Sequence, residues 1–96
     1  MNAISEAVPL YLGFRKASFP EKDPTRLTPR FGSNAPQLER QVKEILAELN
    51  KIRPDWNAHD LVSGSQWAVA QLRRSHPELE DEAARALEWA YAWWWK

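Results

Sequence analysis

Proline placement constrains this chain more than any other feature of its sequence. Six of the seven prolines fall before position 55. The four in the first 35 residues are Pro9, Pro20, Pro24 and Pro29. Because a proline lacks a backbone donor and pushes the preceding residue out of the helical region, we expect no long helix there. The sequence predicts a single domain, 1–96, in which a proline-rich arm, 1–35, packs on a helical bundle, 36–96.

Within the arm, apolar residues recur at every second position. These residues are Val8, Leu10, Leu12 and Phe14. A period of two is typical of a strand packed by one face. The segment 26–31 is a candidate partner strand, which Pro29 would restrict to a sheet edge. We therefore expect an extended arm with a short strand or hairpin, and a one-turn helix beginning at Ser5 is the alternative.

Beyond residue 35 the apolar residues follow a helical period. Asn34 is a candidate N-cap, with Pro36 in the first turn and Gln37 three residues after the cap. The apolar positions that share one face are Leu38, Val42, Ile45, Leu49 and Ile52. This pattern predicts a helix over about 36–53 that buries this face.

Two further helix starts follow. Asn57 is a candidate N-cap for a helix over about 58–74. Ser75 and Glu78 have the spacing of a capping box, which predicts a helix over about 77–95.

The expected fold class is therefore mainly α. It is a three-helix bundle (about 36–53, 58–74 and 77–95) with the extended N-terminal arm beside it. Val62 is placed on the buried face of the second helix, and Gly64 indicates that another backbone approaches that helix closely.

Composition excludes several classes of protein. The 96 residues carry 13 basic and 13 acidic side chains and no cysteine. Zero net charge removes a strong pull toward nucleic acid or anionic lipid, and a cysteine-free chain has no disulfides, thiol nucleophile or thiolate ligands. The segment from Met1 to Val8 lacks the pattern of a signal peptide. We expect a cytoplasmic protein that does not bind membranes.

Candidate catalytic groups are few. His59 and Ser63 lie four residues apart, so they share a helix face, but no glycine-flanked nucleophile elbow surrounds the serine. The histidines have no metal-ligand spacing, and the three glycines form no phosphate-binding loop. We expect no enzyme activity, no metal and no cofactor.

The last predicted helix is unusually rich in tryptophan. On a helical wheel its apolar arc spans about 200°, against a little over ~100° for an ordinary bundle helix. Trp89, Trp93 and Trp94 lie within this arc, and Trp95 lies outside its main sector. The surplus apolar surface needs cover from the arm, from a second copy of the chain or from a different protein.

We expect the arm to supply most of this cover, with Leu10, Leu12, Phe14, Phe19 and Phe31 facing the last helix. The predicted function is that of a small non-catalytic protein-binding module, a regulator, adaptor or inhibitor. The candidate partner-binding residues are Trp67, Tyr91 and Trp95, because tryptophan and tyrosine are enriched at binding hot spots. The expected partner is another protein. A homodimer would also cover the surplus apolar surface of the last helix.

The alternative function is a nucleic-acid-associated regulator. Aromatic and basic side chains interleave in the arm, as in single-strand binding proteins. The candidate nucleic-acid-binding residues are Arg15, Lys16, Arg26 and Arg30. Glu21 and Asp23 interrupt the pattern, and we expect no measurable nucleic-acid binding at physiological salt.

Overall fold

Helices make up most of the chain, as expected for a mainly α protein. The structure is a computed structural model, and it describes residues 2–96. The α-helices are α1 (Ala3–Leu12), α2 (Thr28–Phe31), α3 (Ala35–Lys51), α4 (Leu61–Ser75) and α5 (Asp81–Trp95). Single turns of 3-10 helix, Pro24–Arg26 and Gly32–Asn34, flank the short α2. No strand is present among these described residues.

The first helix corrects the prediction of an extended arm with a strand or hairpin. The Asn2 side chain caps the helix by accepting a hydrogen bond from the Ser5 backbone N–H at 2.9 Å. Gly13 ends it in the left-handed conformation, with φ of 75°. Pro9 lies inside the helix and removes one backbone donor. The buried residues, Ser5, Ala7, Val8, Tyr11 and Leu12, follow a helical period and not a period of two.

Burial of this face explains why α1 forms despite its proline. The helix packs against both α3 and α5, so tertiary contacts offset the lost hydrogen bond, about 0.5–1.5 kcal/mol. The arm thus does cover α5, as expected, but its first part does so as a helix.

A buried serine joins the start of α1 to the start of α5. The Ser5 hydroxyl donates to the Glu78 carbonyl oxygen at 3.1 Å and accepts from the Glu80 backbone N–H at 3.0 Å. Nearby, the Asn2 side-chain amide donates to the same Glu78 carbonyl at 2.7 Å. These bonds fix the position of α1 along α5.

We expect Ser5→Ala to lower the free energy of unfolding by about 1–3 kcal/mol, because the Glu80 N–H loses its partner and the Glu78 carbonyl keeps only its bond from Asn2. Urea denaturation measures this loss. Ser33→Ala, at an exposed position, is the control and should change stability by less than about 0.5 kcal/mol. Equal stability of the two variants would show that the Ser5 bridge does not hold α1 in place.

The predicted helix over 36–53 is confirmed within two residues as α3. Its apolar stripe is buried as expected at Leu38, Val42, Ile45 and Leu49. The predicted cap is wrong: Asn34 makes no side-chain capping bond and has helical dihedral angles. The preceding 3-10 turn leads directly into α3, so an extended cap residue is not needed.

The second predicted helix begins three residues later than expected, at Leu61. Its N-cap is Asp60 and not Asn57: the Asp60 carboxylate accepts from the Ser63 N–H at 2.8 Å, and Ser63 Oγ accepts from the Asp60 N–H at 3.1 Å. Asn57 instead belongs to a turn whose first residue, Asp55, accepts its backbone N–H. Val62 is 64% exposed, so its placement on the buried face was wrong.

The third predicted helix begins at Asp81 and not at residue 77, because Ser75 ends α4 and caps nothing. The turn between the helices places Leu79 in the core. The Arg73 guanidinium donates to the Leu79 carbonyl from Nη2 at 2.8 Å and from Nε at 3.2 Å. This carbonyl therefore bonds a side chain and not a helical N–H.

His76 links α3 to this turn. Its ring nitrogens contact the carboxylates of Glu48 on α3 and of Glu78, the latter at 3.1 Å. Burial lowers the pKa of His76, but hydrogen bonds to Glu48 and Glu78 raise it by more, and the net shift is upward. The protonated imidazole is thus the form that the fold favours.

We expect the free energy of unfolding to fall as pH rises through the folded-state pKa of His76. The contribution is fully present below the unfolded-state pKa of about 6.5 and is lost above the higher folded-state value. Urea denaturation between about pH 6 and pH 9 measures it. In His76→Gln this pH dependence should be smaller, whereas His59→Gln should retain it. An unchanged dependence in His76→Gln would contradict this assignment.

Candidate functional site

Large aromatic side chains gather where α3 and α5 end. We call this surface the aromatic end and define it as Phe19, Trp56, Trp93, Trp94 and Trp95. Four of these side chains are exposed: Phe19 by 49%, Trp56 by 39%, Trp93 by 39% and Trp95 by 36%. This end of the molecule therefore presents several large aromatic side chains to solvent.

Three consecutive tryptophans point in different directions because each helical residue turns the chain by about 100°. Trp93 stacks on Phe19, with ring centroids 5.9 Å apart and an angle of 24° between the planes. Trp95 lies 5.8 Å from the Tyr91 ring and 6.2 Å from the Trp56 ring. The last turn of α5 thus contacts the loops on either side of it.

Trp93 corrects the helical-wheel prediction, which placed it on the packed arc and only Trp95 outside. Both are exposed to nearly the same extent, 39% and 36%. The wheel treats the neighbouring helices as if they covered the full length of α5. In the structure α1 ends at Leu12, and Phe14 just beyond it packs on Trp89 at 5.5 Å. Trp93, one turn further along α5, contacts Phe19 from the following loop.

Trp56 belongs to the aromatic end but was not singled out from the sequence. It follows Pro54 in the break between α3 and α4, and its indole lies against Gly64. A Cβ atom at position 64 would lie 2.5 Å from Cζ3 of Trp56. The expected close approach at Gly64 is therefore real, but the neighbour is this side chain and not another backbone. In the sequence, Gly64 was the feature that indicated a close neighbour at the position where Trp56 lies.

A positively charged group lies over each of the three terminal rings. Lys22 Nζ lies 5.2 Å from the Trp94 ring centroid, Arg53 Cζ 4.5 Å from that of Trp95, and Lys96 Nζ 3.5 Å from that of Trp93. These distances fit cation–π contacts, worth about 0.5–1 kcal/mol each at exposed sites. The aromatic end is therefore both apolar and cationic.

A cleft opens between the two helix ends on this surface. Its volume is about 330 Å³, and its lining residues are Lys22, Asn50, Arg53, Trp94 and Trp95. The Arg53 guanidinium donates to the Asn50 carbonyl oxygen, which orients it at the rim.

The structure separates the predicted partner-binding residues. Trp95 is exposed in the aromatic end, but the neighbouring Tyr91 is fully buried. The Tyr91 hydroxyl donates to the Ile52 carbonyl oxygen at 2.6 Å, and burial raises its pKa. Trp67 is 37% exposed on α4, where its ring contacts His59 at 6.0 Å. Tyr91 is thus a buried side chain that packs against Trp95, whereas Trp67 lies outside the aromatic end.

The predicted nucleic-acid-binding residues are largely paired within the chain. Arg15 forms an ion pair with Glu82 at 3.1 Å, and Arg30 forms one with Glu6 at 2.8 Å. Arg26 pairs with Glu21. Lys16, Arg26 and Arg30 do line one cleft, of about 450 Å³, but these acidic partners reduce its positive charge.

His59 and Ser63 are in contact, with Nδ1 and Oγ 3.2 Å apart. The same hydroxyl accepts the Asp60 N–H in the capping box of α4, so the fold already accounts for its position. Within residues 2–96, no group of three or more metal-ligating side chains could hold an ion. In that same range, no helix has the length and apolarity needed to cross a bilayer.

Comparison with known proteins finds no matching family model, no matching curated protein and no matching solved structure.

We expect Gly64→Ala to move Trp56 away from α4 and from Trp95, because the added methyl group occupies the position of the indole. Stability should change by less than about 1 kcal/mol, since the exposed indole can move and alanine favours the helix by a similar amount. The indole N–H resonances of Trp56 and Trp95 report the movement by NMR.

The control is Ala70→Gly, which changes helix propensity at an exposed position of the same helix. It should lower stability by about 1 kcal/mol and leave both indole resonances in place. If Gly64→Ala also left them in place, Trp56 would not lie against Gly64.

Proposed function

We propose that this chain is a small non-catalytic protein-binding module that binds its partner through the aromatic end. The exposure of four aromatic side chains around the last turn of α5, two of them on that turn and two in contact with it, is the observation that carries this proposal. Tryptophan side chains bury large areas with little loss of rotamer freedom, so they are common anchors at protein interfaces.

Contacts that hold the side chains of the aromatic end in place favour the same function. Tyr91 is fixed by its bond to Ile52, and its ring lies against Trp95. Trp56 is positioned by the glycine at 64. A surface whose aromatic groups are held in place before binding loses less entropy when a partner docks.

The alternative function, nucleic-acid binding by the arm, has less support. Its arginines at 15, 26 and 30 already pair with acidic groups of the chain, and a nucleic acid would have to displace these groups. We also propose that the protein acts in the cytoplasm, which its cysteine-free sequence fits.

We expect the double variant Trp93→Ala, Trp95→Ala to lose partner binding and keep its fold. Both side chains are exposed by more than a third, so their removal should lower stability by about 1–2 kcal/mol, less than removal of a core aromatic group. The measurement is affinity capture of the tagged protein from its native lysate, with nuclease added, followed by identification of the captured proteins.

Trp67→Ala is the matched control, because it removes an equally exposed tryptophan outside the aromatic end. It should capture the same proteins as the unchanged chain. Light scattering after size-exclusion chromatography tests whether the partner is a second copy. Capture of the same proteins by the double variant would refute the proposal.

A further inference from the structure

The cleft of the aromatic end has a chemistry that identifies a class of partner. We propose that it binds an acidic segment of the partner protein, in which aspartate or glutamate side chains pair with Lys22 and Arg53 and an apolar residue packs against the parts of Trp94 and Trp95 that line the cleft beside these cations. This inference rests on the proposed function and adds the chemical character of the bound segment.

The charges of the cleft are the first reason. Lys22 and Arg53 line it together with the neutral Asn50 and the two indoles. Within residues 2–96, the ion pairs of the chain involve other cationic side chains. These are Arg15, Arg26, Arg30, Lys43, Arg73 and His76. The cleft therefore presents two cations that no described carboxylate of the chain neutralises.

The orientation of Arg53 is the second reason. Its guanidinium lies over Trp95 and donates to the Asn50 carbonyl from one nitrogen. An arginine has five donor N–H groups in a planar fork, so several remain for a carboxylate. Because Arg53 is already held, a bidentate bond to glutamate or aspartate forms with less loss of side-chain entropy.

The occupied ring faces are the third reason, and they favour a peptide over a single-stranded nucleic acid. A nucleic acid of that kind binds by stacking its bases on free aromatic faces. Here Trp93 is stacked on Phe19 and carries Lys96, while Lys22 and Arg53 lie over the next two rings. The carboxylates of a peptide need no free ring face, because they bind the charged groups of Lys22 and Arg53, which are accessible at the cleft rim.

The carboxylates nearest in sequence to the two cations are committed elsewhere: Glu21 and Asp23, on either side of Lys22, both pair with Arg26. Asp55 lies two residues beyond Arg53, but its side chain accepts the Asn57 N–H at 3.0 Å. It thus closes the turn that carries Trp56 and forms no ion pair in the cleft. The site is left for an acidic group from outside the chain.

Selection from a phage-displayed library of random peptides of roughly twelve residues tests this inference. We expect the selected peptides to be rich in aspartate and glutamate around one or two apolar residues. Fluorescence polarisation with the synthetic, labelled peptides should show affinity that falls with added salt. Replacing their acidic residues with glutamine or asparagine should weaken binding about tenfold or more.

Variants of the protein locate the bound peptide. Lys22→Gln and Arg53→Gln should each weaken binding several-fold, and the double variant should abolish it. Arg40→Gln is the matched control, because it removes an exposed arginine from α3 away from the cleft, and it should bind as the unchanged protein does. Circular dichroism verifies that each variant keeps its helices.

The outcomes separate this inference from the proposed function. Neutral or basic peptides whose binding is lost in Trp95→Ala would overturn the acidic segment and leave the protein-binding function in place. Failure to enrich any peptide would also overturn the inference, while lysate capture judges the function by itself. A labelled single-stranded oligonucleotide that competes with the peptides for Lys22 and Arg53 at physiological salt would replace the inference with a nucleic-acid surface.

Discussion

The wide apolar arc of α5 determines the arrangement of the rest of the molecule. It is covered by two neighbouring helices, α4 and α1, and the Ser5 hydroxyl of α1 bridges the backbone of Glu78 and Glu80 at the start of α5. Since α1 is only ten residues long, it ends before the last turn of α5. The last turn of α5, with the exposed Trp93 and Trp95, thus extends beyond α1.

Helical periodicity predicted α3, α4 and α5 because each buries residues three and four apart. It misplaced the starts of α4 and α5, because the residue that begins a helix depends on hydrogen bonds that periodicity does not show. Asp60 caps α4 through bonds with Ser63, and in the turn before α5 Arg73 donates to the Leu79 carbonyl oxygen. The strand predicted in the arm was wrong for a different reason. Pro9 weakens helix formation locally, and only the tertiary burial of α1 outweighs that effect.

The candidate site was predictable only in part. Trp95 was identified because its position on the wheel depends on α5 alone. The exposure of Trp93 depends on how far α1 extends, and the position of Trp56 depends on the space above Gly64. Neither quantity is encoded in a local pattern. The buried state of Tyr91 likewise follows from a bond to the end of α3, 39 residues away in sequence.

The cations of the aromatic end bear on which partners it can accept. A two-fold dimer uses the same surface of both copies, so a dimer formed here would bring two sets of Lys22 and Arg53 together. Their mutual repulsion would oppose self-association through this surface. A partner with carboxylates removes this repulsion and gains the apolar contact at the same time. In the proposed binding mode, the same charges that oppose a second copy at this surface favour an acidic partner.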